Sequence, residues 1–205
     1  MLFEYKLGKS HRKRFIWIMT MAVILSLAIF ILVFMTIMTI EIHMLAKNRI
    51  HYIALNEITN DANQTLTVNS ILRWEKENIV DLNKPENDMY PCIRILPGQI
   101  PLLQNYYLIS LTRCGKCGEF AGMFSELANE LGIQNRIITA EHIDGRDHAW
   151  VEIMNGNETT PIETTSVSGY NDSHFYDCTW LIKYRNIRVQ STGEDISKKY
   201  YSWCA

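Results

Sequence analysis

The longest uncharged stretch of the chain constrains its structure more than any other feature. Residues 15–40 contain no Asp, Glu, Lys, Arg or His. As a helix, these roughly 26 residues would extend about 39 Å and would exceed the ~30 Å hydrocarbon core of a bilayer. A cleaved signal peptide has an apolar region of only about 7–15 residues and ends in a small-residue cleavage site. The stretch therefore predicts a transmembrane helix over residues 15–40.

The charges on either side of this stretch predict its orientation. Residues 1–14 are rich in Lys and Arg, whereas acidic and basic residues mix after residue 40. The positive-inside rule places residues 1–14 in the cytoplasm and the body of the chain on the other side of the membrane. We expect a single-pass membrane protein in which residues 41–69 form a stalk or linker and residues 70–205 form an extracytoplasmic domain.

The charge balance argues against one class of partner. The formal net charge is -2 at pH 7, so the chain lacks the basic excess that is typical of nucleic-acid-binding domains. We therefore expect no nucleic-acid partner, and the membrane is the first partner that the sequence predicts.

Two segments beyond the membrane span carry helical patterns. Ser70 predicts a helix cap, and apolar positions on one face follow it through Ile79. Apolar residues recur at helical spacing again from Phe120 to Leu131, and Gly132 predicts the end of that second helix.

The pattern changes to that of β-strands after the second helix. Residues 136–140 and 149–153 indicate paired strands, and Asn155-Gly156-Asn157 is typical of a hairpin that leads to a third strand at 160–164. One helix followed by antiparallel strands predicts an α+β domain. The aromatic residues of 177–205 are expected to pack back onto it.

A pair of cysteines directly before the second helix predicts a nucleophile. Backbone N–H groups are unpaired at a helix N-terminus, and the partial positive charge there favours a thiolate. Cys117 directly precedes the helical run, and Gly118 leaves its approach open to a substrate carbonyl. Cys114 lies a turn earlier and is expected in a disulfide. We therefore predict Cys117 as the nucleophile.

The other uses of paired cysteines fit the sequence less well. A structural zinc site needs four ligands, usually from two such pairs, but Cys92, Cys178 and Cys204 are isolated, so we expect no metal. A thiol–disulfide enzyme using Cys114 and Cys117 remains an alternative, although antiparallel strands replace the expected βαβ context. Of five cysteines, one reactive thiol leaves four for two disulfide bonds, whose pairing stays open.

His148 is the predicted general base. It stands at the start of a strand whose next residues are strongly apolar, whereas His142 and His174 lie in polar loops. An imidazole at such a position could take a proton from a cysteine at a helix N-terminus.

Glu163 is the predicted orienter of that imidazole, because it lies on the neighbouring strand. Asp147 is a poor orienter, since successive side chains of a strand point to opposite faces. Weaker alternatives for this role are Asp144, Asp172 and Asp177.

These motifs resemble a known family. The segments Arg113-Cys-Gly-Lys-Cys-Gly-Glu-Phe-Ala and Asp147-His-Ala-Trp-Val-Glu resemble the transglutaminase-like superfamily, and within it the peptide:N-glycanase core. The resemblance covers roughly residues 70–165. It implies a papain-like fold and a cysteine amidase, protease or acyltransferase without a cofactor, acting on a protein, peptide or glycopeptide. It also implies Cys117 as nucleophile, His148 as base and Glu163 at the acid position.

The sequence departs from that family in two ways. The acid position usually holds Asp, and Glu163 is one methylene longer. The paired cysteines that bind zinc in the glycanase are missing, which weakens the substrate assignment more than the chemistry. An alternative from another class is a catalytically inactive ectodomain that binds a peptide or a glycan.

Overall fold

The computed structural model describes residues 9–82, 105–156, 158–165 and 178–202. The chain divides into two units, Met1–Ile42 and His43–Ala205. In the first unit, the side chains between Phe15 and Ile37 are exposed along helix α1, which runs over Lys9–Asn56. This helix is long and apolar enough to cross a membrane.

The second unit has α+β architecture, as the sequence predicts. After α1, its helices are α2 (Gln64–Asn78), α3 (Asn105–Thr112), α4 (Cys117–Glu130), α5 (Cys178–Leu181) and α6 (Ser197–Tyr201). Its strands are β1 (Val80–Asp81), β2 (Cys114–Gly115), β3 (Asn135–His142), β4 (Asp147–Asn155), β5 (Glu158–Ile162) and β6 (Tyr184–Val189).

The larger sheet has the strand order β5-β4-β3-β6, and each neighbouring pair is antiparallel. Val151 at the centre of β4 lies opposite Ile137 of β3 and Ile162 of β5. The three predicted strands and the hairpin after β4 are confirmed. Gly156 has φ 60° in that turn, a conformation that favours glycine because it has no Cβ.

Helix α4 packs against one face of this sheet. Its apolar residues form one buried cluster with side chains of β4, among them Phe124 of the helix and Val151 and Ile153 of the strand. The predicted helix over this segment is confirmed, and Gly132 follows it with φ 76°, as expected for a glycine just after a helix.

The other face of the sheet is covered by the C-terminal elements. Trp150 of β4, Ile187 of β6 and Tyr200 of α6 belong to a second buried cluster. The expectation that the aromatic tail packs back onto the domain is met by Tyr184 and Tyr200, whereas Trp203 lies outside the described residues.

One expectation from the sequence needs revision. Ser70 is not a helix cap: α2 begins at Gln64, and the side chain of its N-cap Asn63 accepts a hydrogen bond of 3.0 Å from the N–H of Thr65. The sequence of residues 60–69 is also typical of a turn, because Asn and Thr are favoured both in turns and at helix N-caps. Composition alone therefore does not show that α2 begins within this segment.

The segment predicted as a stalk also contributes to the core of the second unit. Ala46, Ile50 and Ile53 are fully buried or nearly so. Residues before position 70 therefore pack into the same core as residues after it. The division into a stalk and a domain at residue 70 stays a prediction.

Candidate active site

Cys117 is the first residue of α4. The preceding residue, Lys116, is extended with φ -110°, and its N–H donates to Glu119 Oε2 at 3.0 Å, which fixes the start of the helix. Cys117 is a free thiol, and its Sγ lies 3.9 Å from the carbonyl oxygen of Asp147. A Cβ built on Gly118 would meet no atom within 4 Å. The thiol therefore stands at the start of β4 beside open space.

His148, the second residue of β4, connects the thiol to a carboxylate. Its Nε2 lies 2.7 Å from Glu163 Oε2, and its ring also makes a side-chain hydrogen bond with Cys117. Because Glu163 occupies Nε2, the other ring nitrogen, Nδ1, is the one left to face the thiol.

The register of the sheet explains why Glu163 reaches this imidazole. Val151 of β4 pairs with Ile162, the last residue of β5, so continuing the register sets Glu163 opposite Trp150. His148 and Trp150 point to the same face of the strand, and diagonal neighbours on one face of a sheet are within reach of long side chains.

The second carboxylate oxygen of Glu163 is held by Thr165. Glu163 Oε1 accepts hydrogen bonds from the N–H of Thr165 at 3.0 Å and from its Oγ1 at 2.6 Å. The side chain of Glu163 is 5% exposed and that of His148 is 18% exposed. Both oxygens of this buried carboxylate are therefore hydrogen-bonded.

The charges of the site stabilise one another. Burial alone would lower the pKa of His148, but its hydrogen bonds with Cys117 and Glu163 and their negative charges raise it from 6.5 to about 10. Burial would raise the pKa of Glu163, but the hydrogen bond and charge of His148 and the bonds from Thr165 lower it. At neutral pH the pair is imidazolium and carboxylate.

Two aromatic rings flank the imidazole. The ring centroid of Trp150 lies 5.9 Å and that of Tyr184 lies 5.6 Å from the centroid of His148. Tyr184 was not among the site residues predicted from the sequence. It begins β6, a short strand with mixed polarity, and only strand pairing over a long sequence separation brings it to the site.

The weaker candidates for the acid and the base lie elsewhere or are not described. Asp144 pairs with Arg146 at 2.7 Å and with His142 at 2.7 Å in the β3–β4 turn. Asp147 contacts Cys117 through its backbone carbonyl. Within the described part of the chain, the carboxylate that is hydrogen-bonded to the His148 ring is that of Glu163 and not that of Asp147. Asp172, Asp177 and His174 lie outside the described residues.

The cysteines differ in state. Cys114 and Cys178 are disulfide-bonded, whereas Cys117 is free, so Cys114 and Cys117 do not form the bridge that the thiol–disulfide alternative would use. Cys92 and Cys204 lie outside the described residues, and the pairing into two disulfides stays a prediction. Within the described ranges, no group of three or more His, Cys, Asp or Glu side chains could hold a metal ion.

Comparison with known proteins identifies relatives of this segment. Residues 97–164 match the family model of the transglutaminase-like superfamily. A peptide-N(4)-(N-acetyl-beta-glucosaminyl)asparagine amidase of Rattus norvegicus is 26% identical over 132 residues, which are 63% of this chain and 19% of that protein. The chain thus spans only about a fifth of that relative's length.

Two crystal structures show weaker similarity. One is of a protein assigned as a cysteine protease from Cytophaga hutchinsonii, with 19% identity, a TM-score of 0.43, and coverage of 58% of this chain and 37% of that one. The other is of a TGase, with 17% identity, a TM-score of 0.44, and coverage of 64% and 35%. TM-scores of this size do not by themselves establish a shared fold. The family match over residues 97–164 contains Cys117, His148 and Glu163, so the segment that carries the candidate site is similar to the transglutaminase-like superfamily.

Proposed function

We propose that this protein is a membrane-anchored cysteine enzyme that attacks an amide carbonyl, with Cys117 as nucleophile, His148 as general base and Glu163 as the orienter of the imidazole. The observation that carries the proposal is the position of His148 between a free thiol and a buried carboxylate. A nucleophile, a base within hydrogen-bond reach and a third group that orients the base are the signature of covalent catalysis.

In the first half of the reaction, the thiolate of Cys117, already paired with the imidazolium of His148, attacks the carbonyl carbon. The C=O electron pair moves onto oxygen and forms a tetrahedral oxyanion. When this intermediate collapses, the C–N bond breaks, the imidazolium protonates the leaving amine, and a thioester remains on Cys117. The N–H of Cys117, at the unpaired start of α4, is the proposed oxyanion donor.

In the second half, His148 takes a proton from water or from an acceptor amine, which attacks the thioester. The C–S bond breaks, the product leaves as an acid or a new amide, and the thiolate–imidazolium pair is restored. Glu163 stays ionised throughout. Its bond to Nε2 fixes the imidazole with Nδ1 toward the thiol and stabilises the positive charge of the ring.

The setting and the substrate belong to the same proposal. The basic residues before α1 favour a cytoplasmic N-terminus and a domain on the other side of the membrane. The rat relative is named as an amidase of N-acetylglucosaminyl asparagine, so a glycopeptide is the first substrate that we would test, followed by unmodified peptide amides.

Alkylation of the full-length chain in detergent micelles tests the catalytic assignment without knowledge of the substrate. At about pH 5 only a thiolate stabilised by an imidazolium reacts well with iodoacetamide. Mass spectrometry should find the label on Cys117. We expect His148→Ala to slow labelling about 100-fold and Glu163→Gln to slow it about tenfold, since each step of one pKa unit is a factor of ten.

Glycopeptide hydrolysis completes the test. Cys117→Ser should lose turnover while keeping its thermal unfolding temperature, because an oxygen replaces a partly exposed sulfur. Full amidase activity in Cys117→Ser, or equal labelling rates in wild type and His148→Ala, would refute the proposal.

A further inference from the structure

Tyr184 covers one side of the imidazole of His148. The two ring planes are inclined by 35° at a centroid distance of 5.6 Å, so the rings lie closer to parallel than to perpendicular. Tyr184 also meets Trp150 edge-on at 6.2 Å. The imidazole thus lies against two aromatic rings, one from its own strand and one from β6.

The backbone and the neighbouring ring hold this arrangement. Tyr184 pairs with His142 in the sheet register, and the hydroxyl of Tyr201 donates to its carbonyl oxygen at 2.6 Å. Trp150 is fixed from behind, because its Nε1 donates to the hydroxyl of Tyr200 at 2.7 Å. These bonds fix the backbone of Tyr184 and the ring of Trp150, and the ring of Tyr184 packs against that fixed ring.

Tyr184 lies twenty residues beyond the family match, which ends at residue 164. We propose that Tyr184 is a positioning residue that holds the imidazolium of His148 against Glu163 and the thiol, and that β6 is therefore part of the catalytic apparatus. The inference rests on the proposed function, since it assigns Tyr184 a role toward the proposed base.

Two physical effects give the ring this role. The face of an aromatic ring within about 6 Å attracts a cation and so favours the charged imidazole over the neutral one. The ring also limits the rotation of the imidazole away from Glu163 and keeps water from the ion pair, which strengthens its Coulomb attraction.

The phenol itself stays uncharged under working conditions. Burial raises the pKa of Tyr184 to about 12, and the negative charges of Glu163 and Cys117 act in the same direction. A neutral ring beside the pair attracts the imidazolium at every pH at which a cysteine enzyme operates. The hydroxyl is not required for this effect, and the ring alone should be sufficient.

The test is the pH dependence of Cys117 alkylation by iodoacetamide in the full-length chain. Tyr184→Leu removes the ring and keeps much of the volume. Without the ring, the imidazolium is held less firmly against the thiolate and more water reaches the pair, so the midpoint of the acidic limb should rise by about half a unit to one unit. That rise is about a 3- to 10-fold lower rate below the midpoint. Tyr184→Phe restores the ring and should bring the midpoint back to within about 0.2 units of wild type. A merely structural role would lower the unfolding temperature without moving this midpoint.

Matched variants keep the result interpretable. Tyr52→Leu removes an exposed tyrosine of α1 that packs against Arg49 and should leave the midpoint unchanged. Tyr184→Met replaces the leucine variant if that one does not unfold cooperatively. An unshifted midpoint in the ring-less variant, or equal shifts in the Leu and Phe variants, overturns the inference alone. Absence of any acidic limb in the wild type overturns the proposed function, and the role of Tyr184 with it.

Discussion

Two buried carboxylates on neighbouring strands show how similar surroundings lead to different roles. Glu152 of β4 is fully buried and has four hydrogen bonds from three side chains: Arg136 donates at 2.8 Å and 2.7 Å, Lys199 at 2.6 Å and Tyr200 at 2.7 Å. Burial would raise its pKa, but these donors lower it.

Glu163 is nearly as buried, but its charge is balanced differently. Among the described residues its ionic partner is His148, a group that can release its proton, and His148 also contacts a free thiol. Lys and Arg keep their charge through the neutral range, whereas an imidazole can lose it in a catalytic cycle. The permanence of the partner charge therefore distinguishes a carboxylate that joins elements of the fold from one that can support proton transfer.

Removing the charge of Glu152 should give the largest effect on stability. Glu152→Gln leaves the charges of Arg136 and Lys199 without their common partner, and we expect the free energy of unfolding to fall by about 2–4 kcal/mol. Denaturant unfolding of the full-length chain in micelles measures it. The alkylation rate of Cys117 should change less than about twofold, because Tyr200 keeps its bond to Trp150.

Glu163→Gln is the matched variant for this comparison. It makes the same chemical change one strand away, and we expect the reverse order of effects, a small loss of stability and slow alkylation. If both variants lost stability and reactivity to the same degree, the distinction between the two carboxylates would be wrong.

The pH dependence of stability should differ between wild type and Glu163→Gln. The folded-state pKa of His148 is raised to about 10 from 6.5, so its contribution is fully present below about pH 6.5 and is lost as pH rises toward 10. The lowered pKa of Glu163 adds stability that is lost as pH falls below its usual 4.5. The wild type should therefore be most stable between these limits.

Thermal unfolding from about pH 5 to pH 10 measures this window. In Glu163→Gln the imidazolium has lost its carboxylate, so the decline above pH 6.5 should be shallower. Parallel profiles for the two proteins would contradict the assignment of the slope to this pair, because Lys and Tyr groups that titrate above pH 9 are common to both.

Local patterns in the sequence predicted the elements around the site. The helical spacing after Cys117 and the apolar run around Trp150 correspond to α4 and β4 as the structure has them. The structure brings Cys117, His148 and Glu163 together. Their catalytic roles stay proposals. The expectation rested on short-range features: a helix N-terminus, a strand start and a hairpin.

The elements that sequence reasoning missed depend on contacts far along the chain. Strand β6 has no clean alternation, because Asn186 has φ 54° and the register against β3 shifts between Thr139 and Glu141. Its pairing is fixed only when the sheet forms. Helix α6 has five residues, too few for a periodic signal, so neither Tyr184 nor Tyr200 could be placed.

The smallest expected effect concerns the hydroxyl that supports Glu163. Thr165→Val removes the 2.6 Å bond from Oγ1 to Glu163 Oε1 and keeps the backbone bond at 3.0 Å. With one donor fewer, the carboxylate should hold the imidazolium less firmly. We expect alkylation of Cys117 at about pH 5 to slow by roughly 2- to 3-fold, which corresponds to a hydrogen bond of about 0.5 kcal/mol.

Thr164→Val is the control for that change. Thr164 is buried next to Glu163, and its Oγ1 has no hydrogen-bond partner among the residues that the structure describes. Replacing the hydroxyl with a methyl group should therefore leave the alkylation rate unchanged and keep or increase stability. A slower rate in Thr164→Val, equal to that in Thr165→Val, would mean that the packing after β5 matters rather than the bond to Oε1. A slower rate in Thr165→Val alone would show that the residue which fixes the carboxylate of Glu163 also belongs to the network around His148. It would add a second difference from Glu152, which is bound mainly by the charged side chains of Arg136 and Lys199.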